Sequence, residues 1–168
     1  MKKITLILSA AALLLLATAL VTAHPHMRKS VTAQLDGDIE ATLTYFTAPA
    51  NEEHAANAKV GEFSAAFARL KLGGTLAVGD AKLEAGEYTV GAIKNGDDDW
   101  TLALYPGQIP RGESADMAKV IKLESAFDHD HGMANHIYFD IQPGSGPLAG
   151  KSVLIWHFGS LHLQGALG

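Results

Sequence analysis

The chain has 168 residues, 48% of them apolar and 18% charged, no cysteine, and a net charge of −5 with histidine neutral. That length suits one domain with a proper core, and the lack of thiols excludes disulfides as a source of stability. The acidic balance argues against a nucleic-acid or anionic-lipid partner, because both require a basic face.

Residues 1–23 predict a secretory signal peptide. Lys2 and Lys3 form a positive start, Ile4 to Val21 is apolar, and Val21-Thr22-Ala23 offers small side chains at the positions a signal peptidase reads. Ala17-Thr18-Ala19 is an alternative cleavage site. A retained anchor is the competing reading, since the apolar run is roughly long enough to reach across much of a bilayer. With no cysteine at the cut, a lipid-anchored form is excluded. The expected product is a secreted or periplasmic domain, residues 24–168, with no membrane partner after cleavage. It would keep 11 basic and 18 acidic side chains, a net −7, and all eight histidines.

Most of that stretch carries a period of two. Val31, Ala33 and Leu35 alternate with polar neighbours, as do Ile39, Ala41, Leu43 and Tyr45; "LDGD" between them predicts a hairpin. Asn51 can cap a short helix near 51–58, with Glu52 and Glu53 in its first turn. "FARLKL" predicts a strand near 67–72, although Val60, Phe63, Phe67 and Leu70 also fall at helical spacing. In "LEAGEYTVGAIKNGDDDWTLALYPG", two strands flank Asn95-Gly96, a turn signal because both residues tolerate positive φ. Tyr88, Val90 and Ala92 would share a buried face with Trp100, Leu102 and Leu104. "KVIKLES" and "HIYFDIQP" predict further strands, and "KSVLIWHFGSLHLQGAL" one or two more, bent at Gly159. Many short strands, frequent Gly and Pro and little helix predict an all-β fold, an antiparallel sandwich or barrel-like domain.

The stretch Val78 to Gly107 resembles a family of secreted bacterial β domains of unknown function. The family's hallmark, Leu-x-Ala-Gly-x-Tyr followed about a dozen residues later by Trp-Thr, is matched by Leu83, Ala85, Gly86, Tyr88, Trp100 and Thr101. The resemblance covers residues 76–106 best, and the chain departs from the family's pattern between 47 and 72. It implies a β fold and an extracytoplasmic setting, and brings no activity with it.

The chemistry candidates are histidines. "FDHDHGMANHIYFD" gathers Asp128, His129, Asp130, His131, Met133 and His136 within nine residues. On an extended chain His129 and His131 project to one side and the aspartates to the other. A His-x-His pair suits Cu(II), Zn(II) or Ni(II), and nearby carboxylates can ligate or orient an imidazole. The competing reading is a solvated polar turn. A terminus beginning His24-Pro25-His26 would offer an amine–imidazole chelate, since Pro25 lacks the backbone N–H that an amide-bound square needs; the alternative is a frayed end. His157 reads as a core histidine on a buried strand. His162, five residues on, falls on the opposite face unless Gly159 marks a bulge. Asp97 to Asp99 lack calcium-loop spacing, and no nucleophile elbow, P-loop or dinucleotide fingerprint occurs. The expected function is therefore a non-catalytic binding domain taking Cu or Zn through His24, His26, His129, His131 and His136. Its alternatives are a partner-binding or structural module with incidental histidines, and a hydrolase.

The intact mass of protein exported from its own cell should correspond to a chain beginning at His24. A mass starting at Leu20 or Met1 overturns the Ala23 cleavage and removes the His24 amine from any metal site.

Overall fold

In the computed structural model the described residues are 26–97, 99–128 and 130–168. The signal segment 1–23, His24 and His129 lie outside them. The chain forms β1 (Arg28–Leu35), β2 (Ile39–Phe46), a one-turn helix α1 (Glu52–Ala56), β3 (Phe63–Leu72), β4 (Leu76–Val78), β5 (Ala81–Leu83) and β6 (Gly86–Gly96). There follow β7 (Asp99–Pro106), β8 (Ile121–Lys122), β9 (Ser125–Asp128), β10 (Ala134–Pro143), β11 (Ser152–Gly159) and β12 (Leu161–Ala166). Among the described residues no helix is long and apolar enough to cross a membrane.

The strands form an all-β, sandwich-like arrangement. A six-stranded sheet runs in the order β1-β2-β3-β6-β7-β8 and a four-stranded sheet in the order β10-β11-β12-β9, while β4 and β5 pair by themselves. Every ladder between these strands is antiparallel. The period of two sends Leu43, Tyr45, Leu70, Val90, Leu102 and Leu104 of the large sheet into the same core as Phe139, Leu154, Trp156 and Leu163 of the small one. Tyr45 reaches across to Phe139, ring centroids 5.4 Å apart, and Phe139 stacks on Trp156 at the same separation. Each such side chain contributes on the order of 1.5–3 kcal/mol by leaving water. Gly165 lets β12 approach closely, because a Cβ there would stand 2.8 Å from Leu123 and 3.0 Å from Leu102.

Three local expectations change. The β6–β7 strands continue past Asn95-Gly96, so that Gly96 pairs with Asp99. A bulge follows Lys94, and the Asn95 amide donates to Asp99 and Thr101 instead of forming the turn. β3 begins at Phe63, well before residue 67. "KVIKLES" is two strands, β8 in the large sheet and β9 in the small one. Leu123 N donates to Leu102 O and Leu102 N to Ser125 Oγ, both at 2.9 Å, so hydrogen bonds continue through the corner where the chain changes sheet.

The face predicted for the central hairpin is the buried one. Val90 opposes Leu104, Ala92 opposes Leu102, and Trp100 is 7% exposed. Tyr88 is buried too, and its hydroxyl donates to Glu84 O at 2.7 Å. Neither ring is presented as a stacking platform at the surface. Trp100→Ala should lower the free energy of unfolding by about 3–5 kcal/mol, a large share of a domain's stability. An unchanged denaturation midpoint would contradict that placement.

Candidate metal centre

The outer face of the small sheet carries two different coats. Val153, Ile155 and Ala166 form an apolar patch closed by Leu148, from the 3₁₀ turn Gly146–Leu148. Farther along the same strands the outward residues become polar. Tyr138, His157, His162 and Asp128 stand directly opposite one another in succession across β10, β11, β12 and β9. The Tyr138 hydroxyl donates to Asp140 at 2.6 Å; that carboxylate, followed by burial, pushes the phenol up to about 12.

His157 and His162 face each other because β11 and β12 are joined by a two-residue turn. Phe158 pairs with Leu161, leaving Gly159, at φ 57°, and Ser160 as the turn residues. The expectation of opposite faces fails for this reason: sequence separation does not set the face across a hairpin.

The β9–β10 connection then folds over the row. Asp128 Oδ1 accepts from Asp130 N at 2.7 Å, and Gly132 turns the chain at φ 88°. His157 Nε2 donates to Gly132 O at 3.2 Å, which leaves Nδ1 as that ring's acceptor. His131 is thereby laid flat on His162, ring centroids 3.7 Å apart and planes 3° from parallel. His157 meets both rings edge-on, 5.7 Å from His131 and 5.2 Å from His162. Asp128 Oδ2 stands 3.8 Å from His131 Nδ1.

Asp128, His131 and His162 each offer a ligand atom, all within 4.8 Å of one another, so the group can hold a metal ion. Around Zn(II), with N and O ligands at about 2.0–2.2 Å, donor atoms stand a little over 3 Å apart. Asp128 and His131 are half-exposed and can close that difference by rotating. His162 is fixed: it is 2% exposed, and its Nδ1 is buried with no hydrogen-bond partner among the described residues. Burial, then His131 and His157, pushes its pKa down to about 4 against the opposing pull of Asp128. The ring is accordingly neutral at physiological pH, the form a metal binds.

The expected ligands divide. His131 is in the group. His26 donates from Nδ1 to Thr47 O at 3.1 Å, beside the start of β1, and does not belong to it. His136 is exposed on β10 in a bridge with Pro49, also outside the group. His24 and His129 fall outside the described residues. His162, read from sequence as a strand histidine, and Asp128, read as a supporting carboxylate, complete the set. The missed signal was "HFGSLH": Gly-Ser is a two-residue hairpin turn, and it places the histidines two residues outside the turn on each side opposite each other. Comparison of the chain with models of protein families, with curated proteins and with solved structures finds no match in any of the three.

The displaced His162 pKa fixes the sign of a pH effect. Unfolded, this histidine titrates near 6.5; folded, it does so at about 4. Between those values the unfolded chain holds a proton that the folded chain does not, so acid favours unfolding. In excess chelator, the wild type should lose stability relative to His162→Phe as pH falls from about 6.5 to 4, then run parallel below. Denaturant midpoints that stay parallel over the whole window would show that His162 carries no such shift.

Proposed function

We propose that this protein is an extracytoplasmic, non-catalytic binding domain for a transition-metal ion, Cu or Zn, held by Asp128, His131 and His162. The observation that carries the reading is the buried, unpaired, neutral imidazole of His162 beneath a second imidazole and beside a carboxylate. A buried polar atom without a partner costs about 1–3 kcal/mol, and coordination supplies the missing partner. Two imidazoles and one carboxylate suit Zn(II) and Cu(II) better than the all-oxygen ions. His157 borders the set and holds the loop through Gly132; we assign it an orienting role. His129, adjacent to Asp128 in sequence, is a candidate fourth ligand. The predicted signal and the resemblance of residues 76–106 to secreted domains support the setting.

Calorimetric titration of the chelator-stripped mature protein with Zn(II) and Cu(II) should give one equivalent at this site. Losing an orienting partner typically costs a metal site about 10–100-fold in affinity, so His131→Ala and Asp128→Asn should each lose at least that much. His136→Ala should lose little. A His24–His26 chelate would appear as a separate equivalent, abolished by one extra residue ahead of His24. If His131→Ala binds as tightly as the wild type, the assignment is wrong.

A further inference from the structure

The outer face of the large sheet carries a groove of about 640 Å³ across β1, β2, β3 and β6. Alternation determines what lines it. Ala41, Leu43, Leu70 and Leu72 enter the core, so Thr42, Thr44, Arg69 and Lys71 face away from it. The cross-strand register sets these side chains in rows. Ser30, Thr44, Arg69 and Thr89 stand opposite one another in succession, and so do Thr32, Thr42, Lys71 and Glu87. In the row before them Arg28 pairs with Phe46.

The cations of this groove differ from the others in lacking a carboxylate. Lys59, Lys82, Lys94, Lys119 and Lys151 each form an ion pair. Arg28, Arg69 and Lys71 form none among the described residues, yet all three line one groove in a chain of net charge −5. Lys71 stands opposite Glu87, which also lines the groove, without pairing with it. Arg69 is the fixed member. It is half-buried, and its Nη1 donates to Thr89 Oγ1 and, at 3.2 Å, to Gly107 O. Both bonds use one nitrogen, and the rest of a guanidinium fork suits a carboxylate.

Neutral groups complete the surface. The hydroxyls of Ser30 and Thr44 lie 3.4 Å apart, and those of Thr32 and Thr42 3.3 Å. Each can donate and accept, as the hydroxyls of a sugar require. Phe46 is 48% exposed and Phe67 74% exposed, both at this groove. Paired exposed rings beside unpaired cations match a ligand with flat apolar faces, spaced carboxylates and hydroxyls. Nucleic acid is a poorer match, since duplex DNA carries a charge every 1.7 Å or so along its axis. An acidic peptide brings carboxylates without the hydroxyls.

We propose that this groove binds an acidic polysaccharide, a chain of uronic-acid sugars. Its carboxylates pair with Arg69 and Lys71, which lie roughly 7 Å apart on one face of β3. Its hydroxyls bond to Thr42 and Thr44, and its sugar rings lie against Phe46 and Phe67. The site is separate from the metal centre, which occupies the outer face of the other sheet.

Calorimetric titration of the full mature domain should use tetragalacturonate, tetramannuronate and a hyaluronan tetrasaccharide. Excess chelator keeps metal ions from bridging carboxylates. At least one of these sugars should saturate at one equivalent, with uncharged cellotetraose about tenfold weaker or more. Lys71→Gln, an exposed change, should weaken the acidic sugar about tenfold, and Thr44→Val several-fold, while His131→Ala should bind it as the wild type does. The proposal is overturned if no acidic sugar saturates, or if Lys71→Gln binds undiminished. It is equally overturned if His131→Ala loses the sugar, which would place binding at the metal centre. Tetraglutamate or a thymidine tetranucleotide binding as tightly as the best sugar would overturn it too, making the groove a general anion surface. Arg69→Gln should lose at least as much as Lys71→Gln. Where its missing bonds to Thr89 and Gly107 prevent folding, Lys71→Gln decides.

Discussion

The register of β11 against β12 is the constraint on which the rest of this molecule depends. It is set by two residues, Gly159 and Ser160. Gly159 supplies a positive φ, at 57°, and a Cβ there would stand against the Glu52 carboxylate. With the turn closed at two residues, His157 opposes His162 and Trp156 opposes Leu163. Because strands alternate faces, a slip of one residue would exchange the two sets, sending imidazoles into the core and the indole to the surface. Burial favours the observed register heavily, since Leu154, Trp156, Phe158 and Leu163 all join the main core only in this arrangement. The hydrophobic core thus fixes where the histidines point.

That hairpin also carries two unsatisfied polar atoms among the described residues, Trp156 Nε1 on the inner side and His162 Nδ1 on the outer. They are near neighbours across one ladder, yet their surroundings differ. The indole stacks against Phe139 and Phe158, ring centroids 5.4 Å from each. The imidazole faces a second imidazole and a carboxylate, a setting that favours a cation. A strand buried on both faces would ordinarily be filled with aliphatic side chains, as β11 is at Val153, Leu154 and Ile155. The substitution of polar-tipped rings at 156, 157 and 162 costs stability wherever a partner is missing, and among the described residues the chain bears that cost at this end of the hairpin.

Much of the architecture was legible because alternation reports burial directly. The β1–β2 hairpin, the Asn51 cap, and the inward set from Tyr88 to Leu104 all follow from residues whose neighbours in sequence decide their environment. The features that were not legible depend on distant chain. Asn95-Gly96 has the composition of a turn, but its amide finds Thr101 and Asp99, and the hairpin extends past it. "KVIKLES" has the pattern of one strand, and only the corner bonds to Leu102 divide it between sheets. The candidate site was half readable: Asp128 and His131 stand out by density, whereas His162 joins them through cross-strand pairing with Asp128 and His157. The spacing put His162 on the face opposite His157 unless Gly159 marked a bulge, and strand alternation alone does not show a cross-strand pair.

α1 joins these parts. It is too short to be stable by its own propensity and buries no residue, so its position comes from its attachments. Asn51 Oδ1 accepts from Glu53 N at 3.0 Å and starts the turn, and Glu52 then reaches Ser160 N, 108 residues away, at 2.8 Å. That single carboxylate therefore touches the turn that sets the β11–β12 register and also anchors α1. The bond is exposed, and exposed hydrogen bonds are the first to open. Opening it leaves α1 held by Lys94 Nζ, which donates to Ala56 O at 3.3 Å, while Phe158–Leu161 pairing and the core beneath keep the hairpin closed. The fold separates a rigid element, the hairpin that holds His157 and His162 opposite each other, from a weakly held one attached at its turn.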